Sequence, residues 1–268
     1  MRRTGLDKDG FIKREGDLAL IPRAFAPVVD AAKTAILDAF CGDSLHSAYL
    51  YGSVPRGTAV PGVSDLDVLL ALHHEPSRAD RGAADDLEGM LDARFPQING
   101  AGIGLASTAT LLSDLERHDL GWFVACLCTP LIGEDLALQL PRYRPTSLLA
   151  RETNGDLGDL LPGWRQRLSE ATAITELHAL SRRAGRRLVR TGFTLVMPRW
   201  EGWTSDIAES ADVFGRYYPA RGDQMRAAAS AARTPTADRE LLSMLINDLG
   251  PWLAGEYLAV HGPKTPRK

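Results

Sequence analysis

Cysteine is scarce: Cys41, Cys126 and Cys128 are the only three in 268 residues, an odd number with no Cys-x-x-Cys pair. That argues against a disulfide framework or a cysteine zinc site and predicts reduced thiols packed in a core. Long hydrophobic runs are missing too. The longest, around Trp122 to Ile132, falls well short of the roughly 18 residues that a membrane-spanning helix needs, so no bilayer partner is expected. Nor is there an excess of one charge: 31 Lys+Arg against 34 Asp+Glu leave a formal net charge of -3. Such a balance speaks against a surface built throughout to grip nucleic acid or anionic lipid, and leaves only a local basic patch open. After Arg2 and Arg3 no apolar run follows, which argues against a secretory signal and makes the cytoplasm the expected address. The six histidines, His46, His73, His74, His118, His178 and His261, show no metal-ligand spacing, and no internal repeat or low-complexity tract is present.

What is present is an ordinary globular composition, 44% hydrophobic and 24% charged, enough to bury one large core or two modest ones. Pro27 followed by Val28, Ala32, Ile36 and Phe40 at helical spacing predicts a helix from Pro27 to Cys41. The short apolar stretches 48–51, 65–72 and 103–107 read as strands, with a helix over 81–93 between the last two. Two further helices are expected over 110–120 and 122–132. The Pro-punctuated stretch Leu140 to Pro145 predicts a domain boundary, dividing the chain into 1–145 and 146–268. Beyond it the periodicity is helical, over 157–168, 174–191 closing at Gly192, 207–217 and 241–258. The expected fold class is an α/β (α+β) N-terminal domain on a small mixed sheet, followed by an all-helical C-terminal domain, with an active cleft between them.

The chemistry-bearing segment runs Tyr49-Leu50-Tyr51-Gly52-Ser53-Val54-Pro55-Arg56-Gly57-Thr58, then Val63-Ser64-Asp65-Leu66-Asp67-Val68-Leu69. A strand that ends in Gly52-Ser53 lets a phosphate approach backbone amides closely, and the serine hydroxyl adds a donor. Asp65 and Asp67, two apart on a strand, turn their carboxylates to one face while Leu66 and Val68 point into the core. Paired carboxylates of this kind suit Mg²⁺, which completes its shell with water and substrate phosphates. A purely structural hairpin would leave the two acids repelling each other uncompensated, which disfavours that reading. The spacing Gly52-x-x-x-x-Gly57-Thr58 is not a Walker A loop, because the lysine is absent and a strand, not a helix, follows.

Gly52-Ser53, a spacer, and Asp65-Leu66-Asp67 resemble the signature of the DNA polymerase beta-like nucleotidyltransferase superfamily. The length and helical second half, with the run from Leu180 to Trp252, resemble its small-molecule branch, which includes the streptomycin/spectinomycin adenylyltransferases. The resemblance implies a Mg²⁺-dependent enzyme that moves a nucleoside monophosphate, AMP from ATP in the first instance, to a hydroxyl of a small molecule such as an aminoglycoside-like antibiotic. It implies that Gly52 and Ser53 hold the triphosphate, that Asp65 and Asp67 ligate one or two Mg²⁺ ions, and that a third acid on a later strand serves as base or ligand. The strand where that acid is expected, Gly102-Ile103-Gly104-Leu105-Ala106-Ser107, contains no carboxylate. Substitutes considered are Asp114, Glu134, Asp135, Glu176, Glu201 and Asp206. Two other readings stay open: transfer to RNA or protein, and a catalytically weak nucleotide-binding or regulatory protein.

Basic and aromatic residues add weaker signals. Arg56 in the loop after Gly52-Ser53 can reach phosphate. Arg182, Arg183, Arg186, Arg187 and Arg190 crowd one helix, and Arg187 is the candidate there for a triphosphate contact. Trp200 and Trp203, with acids around them, suit either an acceptor pocket or plain packing.

Overall fold

The computed structural model describes residues 4–40, 42 and 44–267; the readings placed on Arg2, Arg3 and Cys41 lie outside these residues. The chain forms two compact units, Lys13–Tyr143, and Met1–Ile12 together with Arg144–Lys268. The sequence division near 145 counts the first residues with the sheet, whereas in the structure they join the helical unit. There the Trp203 N–H donates to Thr4 O (2.9 Å), and the Arg144 guanidinium sits 4.0 Å above the Phe11 ring centroid.

In the first unit, helix α1 (Ala26–Ala39) carries Pro27 in its first turn, where a missing N–H loses nothing, and buries Val28, Ala32 and Ile36. Strands β1 (Leu45–Tyr51), β2 (Leu66–Leu72), β3 (Ala101–Ser107) and β4 (Thr129–Gly133) form one sheet in the order β3-β2-β1-β4. Strand β1 runs antiparallel to β2 and β4 while β2 and β3 are parallel, so the sheet is mixed, as expected. The parallel crossover passes through α2 (Arg78–Arg94), which starts in a Ser77/Asp80 capping box. Alternation divides the sheet residues cleanly. Leu50, Leu66, Val68 and Leu70 pack with α1 and α2, and Tyr49, Leu69 and Ala71 pack on the opposite face with Leu111, Val124 and Leu136. Strand β3 is an edge whose outward N–H groups are satisfied by α2: Ala101 donates to Asp92 Oδ1 (2.7 Å) and Ile103 to Glu88 Oε1 (2.5 Å).

Two expectations for this unit need correction. The helix expected over 110–120 shrinks to α3 (Thr108–Leu111), and the one expected over 122–132 ends at Leu127 as α4 (Leu120–Leu127), its remainder forming β4. Pro130 cannot continue a helical ladder, and the free edge of β1 offers partners; a short apolar run does not reveal its own period.

The second unit is helical: α5 (Ser147–Asn154), α6 (Leu157–Glu170), α7 (Ile174–Trp200), α8 (Ile207–Tyr217), α9 (Gly222–Arg233), α10 (Arg239–Ser243), a π-helical turn at Met244–Leu249, and α11 (Gly250–His261). The π turn interrupts what the periodicity presents as one helix; Gly250 follows it, and then Pro251 in the first turn of α11, which lacks the N–H for an ordinary register. Helix α7 runs through Gly192, where the sequence predicts its end, and stops at Glu201 in the left-handed conformation (φ 55°). Gly192 and Gly185 are packing glycines. A Cβ at Gly185 would lie 2.6 Å from Ala228 O and 2.9 Å from Ala232 N, and one at Gly192 would overlap the Met225 side chain. In an exposed helix Gly→Ala stabilises by about 1 kcal/mol. Here Gly185→Ala must push α9 away, and we expect it to destabilise by about 1–3 kcal/mol in urea unfolding. The sign of that change is the check.

Candidate active site

Strand β1 delivers Tyr51 to the sheet end, and the chain then turns at Gly52 with φ +82°, a conformation that glycine adopts without strain. Thr58 N–H donates to Ser53 O (3.0 Å) and Gly57 N–H to Val54 O (3.1 Å), closing a compact turn anchored by the buried Val54 side chain. Arg56 projects from that turn to Glu15 Oε2 (3.2 Å), and the Glu15 backbone is itself held to Cys126 O (2.8 Å).

Asp67 stands on β2 directly opposite Tyr51. Its carboxylate lies against the Gly52 backbone so closely that a Cβ at Gly52 would come within 2.6 Å of Asp67 Oδ2. On the other side Asp67 is in register with Gly102 of β3, where a Cβ would meet only Asp67 Oδ1, at 3.7 Å. The structure therefore brings Gly52, Ser53 and Asp67 together at one end of β1 and β2. Asp65 is not on the strand, as the sequence suggests, but in the loop just before it. Its neighbours fix it: Leu66 N–H donates to Gly100 O (2.9 Å), Asn99 N–H to Ser64 O (3.0 Å) and Val60 N–H to Ser64 Oγ (2.9 Å). Both aspartates are half-buried.

The contrast between the two glycines is testable. Gly52→Ala combines a left-handed φ with a collision and is expected to cost about 1–3 kcal/mol. At Gly102 φ is not left-handed and the space is open, so Gly102→Ala should stay within about 1 kcal/mol. Thermal and urea unfolding of the two variants compares them.

Most of the acids considered as a third carboxylate are engaged elsewhere. Asp114 pairs with Arg117 on the surface, and Asp135 holds Arg14 through two hydrogen bonds (2.7 and 3.1 Å). Glu176 accepts from Thr172 and Ala173 N–H at the start of α7, and Asp206 accepts from Glu209 N–H to cap α8. Arg187 belongs to the helical unit, where it pairs with Asp156, whose other carboxylate oxygen lies 3.4 Å from Lys264 Nζ. Trp200 and Trp203 pack edge-on against Phe193 at 5.7 and 5.6 Å; Trp203 is buried and Trp200 half-buried. Burial pushes the Cys126 thiol up to about 12 and the Cys128 thiol well above its usual range, which leaves both inert, in keeping with a packing role. Strand register, which is not readable from sequence, is what reveals Tyr51 and Gly102 as the two flanking neighbours of Asp67.

Residues 34–105, which contain the Gly52-Ser53 turn and both aspartates, match the family described as "Nucleotidyltransferase domain". Over that stretch the chain is similar to a nucleotidyltransferase domain. No curated protein sequence matches it. Among solved structures, spectinomycin adenyltransferase AAD(9) from Enterococcus faecialis, crystallised with ATP and spectinomycin, superposes with a TM-score of 0.50 at 13% identity, over 85% of this chain and 98% of that one. At that identity the likeness concerns the fold. The chain shares the fold of that structure. Among the described residues no helix is long and apolar enough to cross a membrane.

Proposed function

We propose that this nucleotidyltransferase uses Mg²⁺ to transfer a nucleoside monophosphate, with ATP as donor, to a small-molecule acceptor. The observation that carries the reading is the Asp67 carboxylate seated against Gly52 at the turn into Ser53. Gly52 leaves backbone amides accessible, Ser53 adds a hydroxyl donor, and Arg56 in the same turn offers a cation to phosphate oxygens. Asp65 and Asp67 are the residues that would hold the metal. A half-buried pair of carboxylates fits Mg²⁺, which takes one or two from protein and the rest from water and phosphate. When bound, the cation offsets the charge of the triphosphate and of the departing pyrophosphate. Arg56 and Arg187 each pair with a carboxylate, Glu15 and Asp156, which a triphosphate would have to displace. The fold neighbour's ATP and spectinomycin support an adenine nucleotide as donor and a small molecule as acceptor.

A second reading, nucleotide binding without transfer, is favoured by one observation: the residue beside Asp67 on β3 is a glycine. Calorimetric titration of ATP, GTP, CTP and UTP, each with and without Mg²⁺, tests what both readings share. Mg²⁺-dependent binding with ATP preferred supports a donor site; absence of binding to every triphosphate overturns it.

A further inference from the structure

The face of the sheet that carries Asp67 can be read row by row from the register. Asp67 lies between Gly102 and Tyr51, Leu69 between Gly104 and Tyr49, and Ala71 between Ala106 and Ser47. Strand β3 thus contributes to this face two glycines and an alanine, none of which can take a proton. The next layer out is apolar, built from Leu111, Val124 and Leu136. Asp114 and Asp135 are engaged in ion pairs with Arg117 and Arg14, and Glu176 and Asp206 accept backbone N–H groups at the starts of their own helices. Gly102 is not forced by space or by backbone, because its φ is not left-handed and a side chain would meet only Asp67 Oδ1, at 3.7 Å. The backbone at Gly102 therefore admits a side chain, and the sequence places no carboxylate there.

A hydroxyl acceptor has to lose a proton as it attacks phosphorus, and a positioned base contributes typically about 10²- to 10⁴-fold to such a step. A carboxylate or a phosphate monoester arrives at neutral pH already ionised and has no proton to lose. We propose that the acceptor of this nucleotidyltransferase is an anionic oxygen nucleophile, a carboxylate or phosphate monoester, in place of a neutral hydroxyl. The inference rests on the transfer function proposed above and narrows its acceptor. In the step, a lone pair of the acceptor oxygen forms a bond to the α-phosphorus. The bond from that phosphorus to the oxygen bridging to the β-phosphate breaks, pyrophosphate leaves with the electron pair, and no proton changes hands. The product is a mixed anhydride.

The test uses the full chain with Mg²⁺ and α-labelled ATP against three acceptor sets: amino acids, sugar phosphates, and aminocyclitols including spectinomycin. Expected is label transfer to an amino acid or a sugar phosphate, at a rate flat from about pH 7 to about pH 9, where such acceptors are fully ionised. Hydroxylamine separates the two sources, since it cleaves an acyl nucleotide and leaves a phosphoanhydride intact. Transfer to aminocyclitol hydroxyls should be at least about a hundredfold slower in the wild type and rise by about that factor in Gly102→Glu. Wild-type transfer to aminocyclitols as fast as to any anionic acceptor overturns the inference. So does failure to label any carboxylate or phosphate by protein that binds Mg²⁺ and ATP in the calorimeter, which leaves the binding-only reading standing. Failure of that binding removes the donor site itself, and the inference with it.

Discussion

Asp67→Asn is expected to weaken Mg²⁺-dependent nucleotide binding by about a hundredfold or more and to abolish transfer, with little change in stability. Even residues that only support metal ligands change affinity by about 10- to 100-fold when altered, and loss of a proposed ligand's charge should exceed that. Asparagine keeps the shape of the side chain, so the contact with Gly52 and the register with Tyr51 and Gly102 survive. The decisive comparison is calorimetric: binding of ATP with Mg²⁺ should collapse in the variant towards the level seen without Mg²⁺. Unchanged Mg²⁺-dependent binding by a folded Asp67→Asn protein would show that the carboxylate beside Gly52 does not hold the cation.

The second large effect concerns Glu152 on α5, a buried carboxylate. Its Oε1 accepts from Arg151 Nε (2.8 Å) and Thr265 Oγ1 (3.0 Å), and its Oε2 from Arg267 Nη1 (2.8 Å) and Thr265 N (3.3 Å). Burial by itself would raise its pKa, but the hydrogen bonds from Arg267, Arg151 and Thr265 outweigh it and bring the group to about 2, from an ordinary 4.5. Because the folded value is the lower one, the stabilisation is complete above about pH 4.5 and is lost as pH falls towards about 2. Its size is on the order of 2–3 kcal/mol. Glu152→Gln is therefore expected to destabilise the protein by about that amount at pH 7, because it also leaves arginines without their anion. Urea unfolding of wild type and variant at a series of pH values checks both sign and window. The gap between them should narrow between about pH 4.5 and pH 2, and a gap that stays constant would show that the carboxylate charge is not what holds residues 265–267.

Legibility from sequence followed the range of the interactions. Helix α1, the strand that leads into Gly52 and the strand that bears Asp67 were readable because their signals, a proline at a first turn and apolar residues at fixed periods, lie within a few residues of one another. The segment Thr129–Gly133 was not, since its strand identity comes from the edge of β1, far away in the chain. Gly192 misled for a similar reason: a glycine that caps a helix and one that admits a neighbouring helix look alike until Met225 is in place.

By itself the sequence determined the periodic elements, the class of the fold and the local grouping of a Gly-Ser turn with two aspartates, because each is set by residues close along the chain. Only the tertiary structure decided that Asp67 presses against Gly52, that glycine and tyrosine flank it across the sheet, and that Arg187 is engaged by Asp156. Those facts depend on strand register and helix packing, which join residues distant in sequence and are fixed by the fit of the assembled core.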